Sequence, residues 1–421
     1  MILLTWAFVG AVLLSLALNL WLTSRQIAHV SQRRDQVPAA FADRISAPTH
    51  RRAADYTVAR ARLSLISLGV TGAVLLVWTL LGGLDALNLA VRDALGADAG
   101  GLTYQITLIV AFVFIGALID LPLELYATFV LEQRHGFNRT TWQLYLQDTL
   151  KGMALGALIG LPLLALVLWL MGAAGTSWWL WAWGAWTALQ LMLLVIYPTL
   201  IAPWFNRFTP LADPALKDRV LALMQRCGFT AKGFYVMDGS RRSAHSNAYF
   251  TGLGAAKRVV FYDTLLARLQ PDEVEAVLAH ELGHFKRHHI VQRMMATFAL
   301  SLAAFALLGY LSAQPGFYVA LGVTPNLGAP NDALALLLFM LALPPFVTLL
   351  VPLAARWSRR HEFEADAYAA EHADARALAS ALVKLHEDNA ATLTPDPLYV
   401  KFHYSHPPAA ERIAALNLSS P

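Results

Sequence analysis

A chain of 421 residues that is 57% hydrophobic and 14% charged, with a mean hydropathy of +0.49, is too apolar to be a water-soluble globule of this length and belongs in a bilayer. The single cysteine, Cys227, excludes an intramolecular disulfide, so packing, lipid and metal hold the fold. A net charge of +4 does not point to nucleic acid: the arginines cluster in loops beside apolar segments, as anionic headgroups and insertion topology require.

Seven runs of about 20 apolar residues are long enough to cross the hydrocarbon core as helices, at 2–22, 63–81, 105–131, 153–171, 178–200, 291–311 and 333–355. The first lacks a basic flank and is longer than a cleaved signal's core, so it stays as a span. Between spans one and two lie Arg25, Arg33, Arg34, Arg44, Arg51, Arg52, Arg60 and Arg62, whereas the next connection carries one arginine against three aspartates. Basic and non-basic connections alternate to the end of the chain. By the positive-inside rule the N-terminus faces outward, and the odd-numbered connections and the C-terminal tail face the cytoplasm. Asp120 and Glu124, around Pro122 in the third span, are ionisable groups at membrane depth; such groups face a protein interior or water, or mark an earlier helix end.

The two large hydrophilic pieces thus share one side and read as a single split domain. The chain divides into 1–201 (spans one to five), 202–290, 291–355 (spans six and seven) and 356–421. In the second piece LADPALKDRVLALMQRCGF has helical periodicity, GFYVMD and RVVFYD read as strands, and SAHSNAYFTG between them is a third candidate. A helix opens at Pro271, with Asp272, Glu273 and Glu275 complementing its dipole. There is no internal repeat, low-complexity tract or proline-rich linker.

That helix carries HELGHFKRHH. His280 and His284, four apart, project from one face and can reach a common tetrahedral ion. Glu281 between them completes H-E-x-x-H, in which two histidines bind zinc and the glutamate is general base. A helix end lying among headgroups accounts for Lys286, Arg287, His288 and His289, but not for Glu281. The metzincin continuation fails at Arg287 and Ile290. His288 lies about 12 Å of helix rise beyond His280 on a straight helix, too far to share the ion. A third ligand is better sought in SRRHEFEADAYA, where Glu362 and Asp366 share a face, so that one can bind metal and the other orient a ligand histidine, while Glu364 points elsewhere.

These motifs, with LEQRHGFNRTTW, IAPWFNRFTPL, GSRRSAHSNAYFTG, KRVVFYDTLL and YSHPPAAERIAAL, resemble the type I CAAX prenyl endopeptidases, integral-membrane zinc proteases of the gluzincin class. The resemblance covers most of the chain. It implies a mainly α fold, seven transmembrane helices enclosing a water-filled chamber, with a small α+β metalloprotease domain split between the fifth connection and the tail. It further implies one Zn2+ per chain held by His280, His284 and Glu362, with Asp366 behind them. His406 and Arg412 match residues placed to stabilise the oxyanion, and Asn247, Ala248 and Tyr249 match the edge strand that pairs with substrate. His361 and Glu364 depart from the commoner family wording, an aromatic and a glutamine.

The expected function is zinc endopeptidase cleavage of the C-terminal tripeptide of prenylated C-a-a-X proteins or other membrane-associated polypeptides. Two alternatives are a quality-control protease acting on unmodified membrane proteins and a channel or transporter with structural zinc. The expected partners are a peptide or lipidated protein substrate and membrane lipids, with the chain a monomer. Short loops and the absence of a retention signal in NLSSP place it in a bacterial inner membrane, with the active site facing the cytoplasm.

Overall fold

The computed structural model describes residues 2–96, 100–229, 233–251 and 258–416; NLSSP, beyond Leu416, lies outside them. The first half is helical: α1 (Ile2–Gln32), α2 (Ala47–Trp78), α3 (Gly83–Leu95), α4 (Leu102–Tyr126), α5 (Trp142–Ala173), α6 (Trp178–Ile196) and the short α7 (Ala202–Phe205). There follow β1 (Phe208–Pro210), α8 (Pro214–Arg226), β2 (Gly233–Met237), β3 (Ala248–Thr251), β4 (Arg258–Tyr262), α9 (Asp263–Leu266) and α10 (Pro271–Lys286). Helices α11 (His289–Ser312), α12 (Pro315–Ala320), α13 (Asp332–Val347) and α14 (Val351–His372) lead to α15 (Ala375–Asp388), α16 (Pro397–His403) and α17 (Ala409–Ala415).

Among the described residues, seven helical stretches are long and apolar enough to span a membrane. Several run further than their apolar cores. Helix α1 continues to Gln32 and α2 begins at Ala47, where Ser46 accepts the amide of Thr49 and Pro48 suits the first turn. The connection after α2 is not simply a loop, because α3 forms there. Leu84, Asn88 and Val91 recur at helical spacing and bury one face against the outer end of the bundle. The boundary expected at 355/356 falls inside α14, which carries the chain unbroken from the end of the seventh span through Glu362 and Asp366.

Two large apolar cores form among the described residues. One joins Phe8, Trp78, Tyr104, Met171 and Leu338 of the spans with Phe317 of α12. The other packs Val220, Leu223, Phe261, Leu278, Leu282 and Leu382, tying α8, the sheet, α10 and α15 together. The first six spans bury at most 17% of their most apolar window. Where α11 lies on α6, Gly309 makes room: a Cβ there would stand 2.6 Å from Trp179 Cδ1. In the same contact the Trp183 indole donates to the Phe298 carbonyl at 3.2 Å.

The sheet has order β1-β2-β4-β3, with β2 and β4 parallel and the outer pairs antiparallel. Three strands were expected. The fourth, β1, is three residues long and ends at Pro210, too short and too exposed to show alternation. Strand β3 is an edge, and the strand proper is only the last part of SAHSNAYFTG. The segment before it is fixed by side chains instead. Arg242 grips Asp148 at 2.8 and 3.0 Å and the Phe205 carbonyl at 2.6 Å, and Asn389 Oδ1 accepts the Ser246 amide at 3.1 Å.

Candidate active site

The site begins with how closely α10 approaches α14. Gly283, inside HELGH, lies on the contact, where a Cβ would stand 3.0 Å from Ala365 Cα and 3.1 Å from the Ala365 carbonyl oxygen. Only glycine lets the two backbones come together so tightly. Helix α10 itself starts with Pro271 in its first turn, and the Glu273 carboxylate accepts the Gln270 amide at 2.7 Å. Glu273 is also held by Lys384 at 2.7 Å, so α15 fixes the start of the helix.

Across this contact His280 Nε2 and His284 Nε2 are 3.2 Å apart, His280 Nε2 and Glu362 Oε2 are 3.5 Å apart, and His284 Nε2 and Glu362 Oε1 are 3.4 Å apart. A tetrahedral ion with bonds of about 2.0–2.2 Å spaces its ligand atoms about 3.3–3.5 Å apart. Glu362 Oε2 is buried with no hydrogen-bond partner. Three donors at metal-edge spacing and an orphaned carboxylate oxygen fit a zinc ion.

The histidines are oriented from behind. Asp366 Oδ1 lies 2.8 Å from His280 Nδ1. A carboxylate only accepts, so that nitrogen carries the proton and Nε2 keeps its lone pair for the metal. Arg412 closes on Asp366 in turn, with Nε to Oδ2 at 2.7 Å and Nη2 to Oδ1 at 2.5 Å; its Nη1 stands 3.8 Å from Glu362 Oε2. Burial works against a charge on His280, but the carboxylates of Asp366 and Glu362 beside it outweigh burial and hold its pKa at about 9. Burial, reinforced by the charge on His280, pushes His284 down to about 3. Without metal His280 carries one proton beyond its neutral form, on Nε2, and an incoming cation must displace it.

His284 has its own support, unassigned in the sequence reading. His289 Nδ1 lies 2.9 Å from His284 Nδ1, and His289 Nε2 lies 3.0 Å from Glu364 Oε2. Glu364 must accept from His289 Nε2–H, which makes His289 Nδ1 the acceptor of the His284 proton and again leaves His284 Nε2 free. His361 stacks on His289 with centroids 3.9 Å apart. The two positions that depart from the commoner family wording thus both touch this histidine. The straight helix assumed in placing His288 does not form: α10 ends at Lys286 and His288 is left-handed, with φ 58°. This bend is what turns His289 back under His284.

Glu281, His406, Asn247, Ala248 and the zinc-site side chains line one cavity of about 1170 Å³. Burial pushes the Glu281 carboxyl above its ordinary range, partly offset by the charge on His280. His406 is exposed to this space, its Nε2 3.5 Å from Glu362 Oε1. The Asn247 carbonyl accepts the Tyr262 amide of β4 at 3.1 Å, so the Ala248 N–H faces the free edge, where Asn247 Oδ1 covers it at 2.8 Å. Tyr249 alternates to the other face, 6.2 Å from Tyr262, and does not line the cavity. Asp120 and Glu124 are exposed and also lie outside its lining, with Glu124 accepting from Tyr145 at 3.0 Å.

Residues 26–207 match the CAAX prenyl protease N-terminal family, described by its five membrane helices, and residues 210–419 match peptidase family M48. A CAAX prenyl protease 1 homolog of Oryza sativa is 36% identical over 78% of this chain and 76% of its own. The chain belongs to the CAAX prenyl protease family of M48 metallopeptidases. Other family members repeat the match: the Saccharomyces cerevisiae CAAX prenyl protease 1 is 38% identical over 73% of this chain and 70% of its own, and the human homolog 34% over 75% of each. The crystal structure of S. mikatae Ste24p superposes with a TM-score of 0.89 at 32% identity, covering 99% of both chains. The family's seven-helix membrane architecture and metallopeptidase chemistry are therefore this chain's own.

Proposed function

We propose that the chain is a zinc endopeptidase that removes the C-terminal tripeptide of prenylated C-a-a-X proteins, with one Zn2+ per chain held by His280, His284 and Glu362. The reading is carried by one observation: the Nε2 atoms of His280 and His284 lie 3.2 Å from each other and 3.4–3.5 Å from the Glu362 carboxylate oxygens, and they share one cavity with the Glu281 carboxylate and the start of the free edge of β3. Bound zinc supplies Lewis acidity and a water of lowered pKa. Glu281, raised by burial toward the working pH, accepts the proton of the attacking water and passes it to the leaving amine. A substrate strand adds to β3, its carbonyl displacing Asn247 Oδ1 from the Ala248 N–H, while Tyr249 keeps the strand seated from the opposite face. His406, which lines the cavity with its Nδ1 engaged by Ser405 at 3.0 Å, donates from Nε2 to the developing oxyanion, with Arg412 on the same wall. Two donors of Arg412 hold Asp366, and Asp366 holds His280.

The charge alternation of the connections puts this cavity on the cytoplasmic side of the membrane. The relatives named above are eukaryotic, so they lend no support to the expected assignment to a bacterial inner membrane. Lipids are the expected surroundings of the spans, and a monomer suffices because every proposed site residue comes from one chain.

The test compares a farnesylated C-a-a-X peptide with the same peptide lacking the lipid, using purified zinc-loaded protein in nanodiscs. Release of the tripeptide from the lipidated peptide at least tenfold faster supports the proposal. Equal rates would favour the quality-control reading.

A further inference from the structure

The cavity holds three arginines that its lining exposes to a substrate: Arg60, Arg293 and Arg412. Arg412 is spent on Asp366. Arg293, on α11 near the metal ligands, donates to Ser358 at 3.2 Å. Arg60 differs. It projects from α2 into the cavity, its guanidinium 5.6 Å from the Tyr56 ring and hydrogen-bonded to the Tyr56 side chain; Glu132 feels its charge, but among the described residues no carboxylate forms an ion pair with it. The acid on that side, Glu132, is taken by the Tyr56 hydroxyl at 2.5 Å and faces His245 at 3.8 Å. Close by, the buried amide nitrogen of Gln26 sits beside Tyr404 without a well-formed hydrogen bond. A cavity wall that carries an exposed guanidinium without an ion-pair partner, with an amide nitrogen on the same wall, can receive an anion.

We infer that Arg60 binds the free C-terminal carboxylate of the substrate and so sets where the chain is cut. The inference rests on the proposed function and adds its direction. An extended substrate laid antiparallel along β3 has its C-terminus at the start of that strand. The segment leading into β3 runs from His245, whose ring is 6.4 Å from Tyr56, the residue one turn before Arg60 on α2. Three extended residues span about 10 Å. His245 precedes Ala248 by the same three residues, so a tripeptide beyond the scissile bond ends in the neighbourhood of Tyr56 and Arg60. A parallel substrate would instead direct its C-terminus away from α2.

The experiment compares a farnesylated C-a-a-X peptide carrying a free C-terminal acid with the same peptide as its C-terminal amide. Both are assayed with zinc-loaded full-length protein, wild type and the variants Arg60→Gln, Arg60→Lys and Arg293→Gln. Wild type is expected to prefer the acid by about 10- to 100-fold in kcat/KM, the range of a charge-assisted hydrogen-bonded pair. Arg60→Gln loses the preference by slowing only the acid, Arg60→Lys restores part of it, and Arg293→Gln keeps it. Because the amide is the internal control, an acid-to-amide ratio near one cannot arise from misfolding. Equal cleavage of acid and amide by wild type, or an intact preference in Arg60→Gln, overturns the role of Arg60 and leaves the protease reading standing. Cleavage of neither peptide by wild type overturns both.

Discussion

A buried carboxylate oxygen without a partner, such as Glu362 Oε2, costs about 1–3 kcal/mol, and the surrounding side chains are arranged as if a cation removes that cost. Each ligand histidine shows its Nε2 to Glu362 because its Nδ1 is engaged behind, His280 by Asp366 and His284 by His289. His289→Phe fills the same space but offers no acceptor to His284. It is expected to raise the zinc dissociation constant by about 10- to 100-fold while leaving thermal unfolding of the metal-loaded protein nearly unchanged. Competition with a chromogenic chelator measures the first and scanning fluorimetry the second; unchanged zinc affinity would remove His289 from the site. Spacing alone exposed His280, Glu281 and His284, because i, i+4 residues share a helical face. It left open which of Glu362 and Asp366 meets the ligand histidines directly. It left His289 unassigned because the left-handed residue at His288, which folds that side chain back, is a backbone choice made by a non-glycine residue and has no local signature.

Among the elements, the pairing of α10 with α14 decides whether the site exists, since each carries part of it. Gly283 sets their separation. Gly283→Val places a branched side chain 3.0 Å from Ala365 Cα, with backbone on one side and Tyr368 on the other. Overpacking of this kind costs about 1–3 kcal/mol, and here it also separates Glu362 from the histidines. The expected result is a lower Tm with zinc loss, whereas a variant retaining full zinc and Tm would show that the helices meet elsewhere. Element types were largely readable. The helical period of LADPALKDRVLALMQRCGF became α8, and all three expected strands form, at GFYVM, at RVVFY and, for the last part of SAHSNAYFTG, at AYFT. Element ends were not. Apolar count marks the hydrocarbon core, but α1, α2 and α14 continue past it because their polar extensions find partners there, as Arg25 does with Asp396 at 2.9 Å.

For the molecule as a whole, the number of spans follows from composition, but the cavity does not. Enclosed volume depends on how far apart the helices stand, and nothing in an apolar run distinguishes a lipid-facing side chain from one facing the interior. Asp120 and Glu124 illustrate the limit: ionisable groups at membrane depth draw notice in the sequence, yet they lie outside the cavity that contains the site. The join of the two hydrophilic pieces across a helical hairpin could be argued from the sequence, because one metal centre needs ligands from both. That claim is tested most directly by the turnover of a farnesylated C-a-a-X peptide by Glu281→Gln protein loaded to one zinc per chain. The account predicts wild-type zinc content and fold with tripeptide release lowered by at least about 10³-fold, as expected when a general base is removed from a preassembled site. Tripeptide release near the wild-type rate from that metal-loaded variant would contradict it.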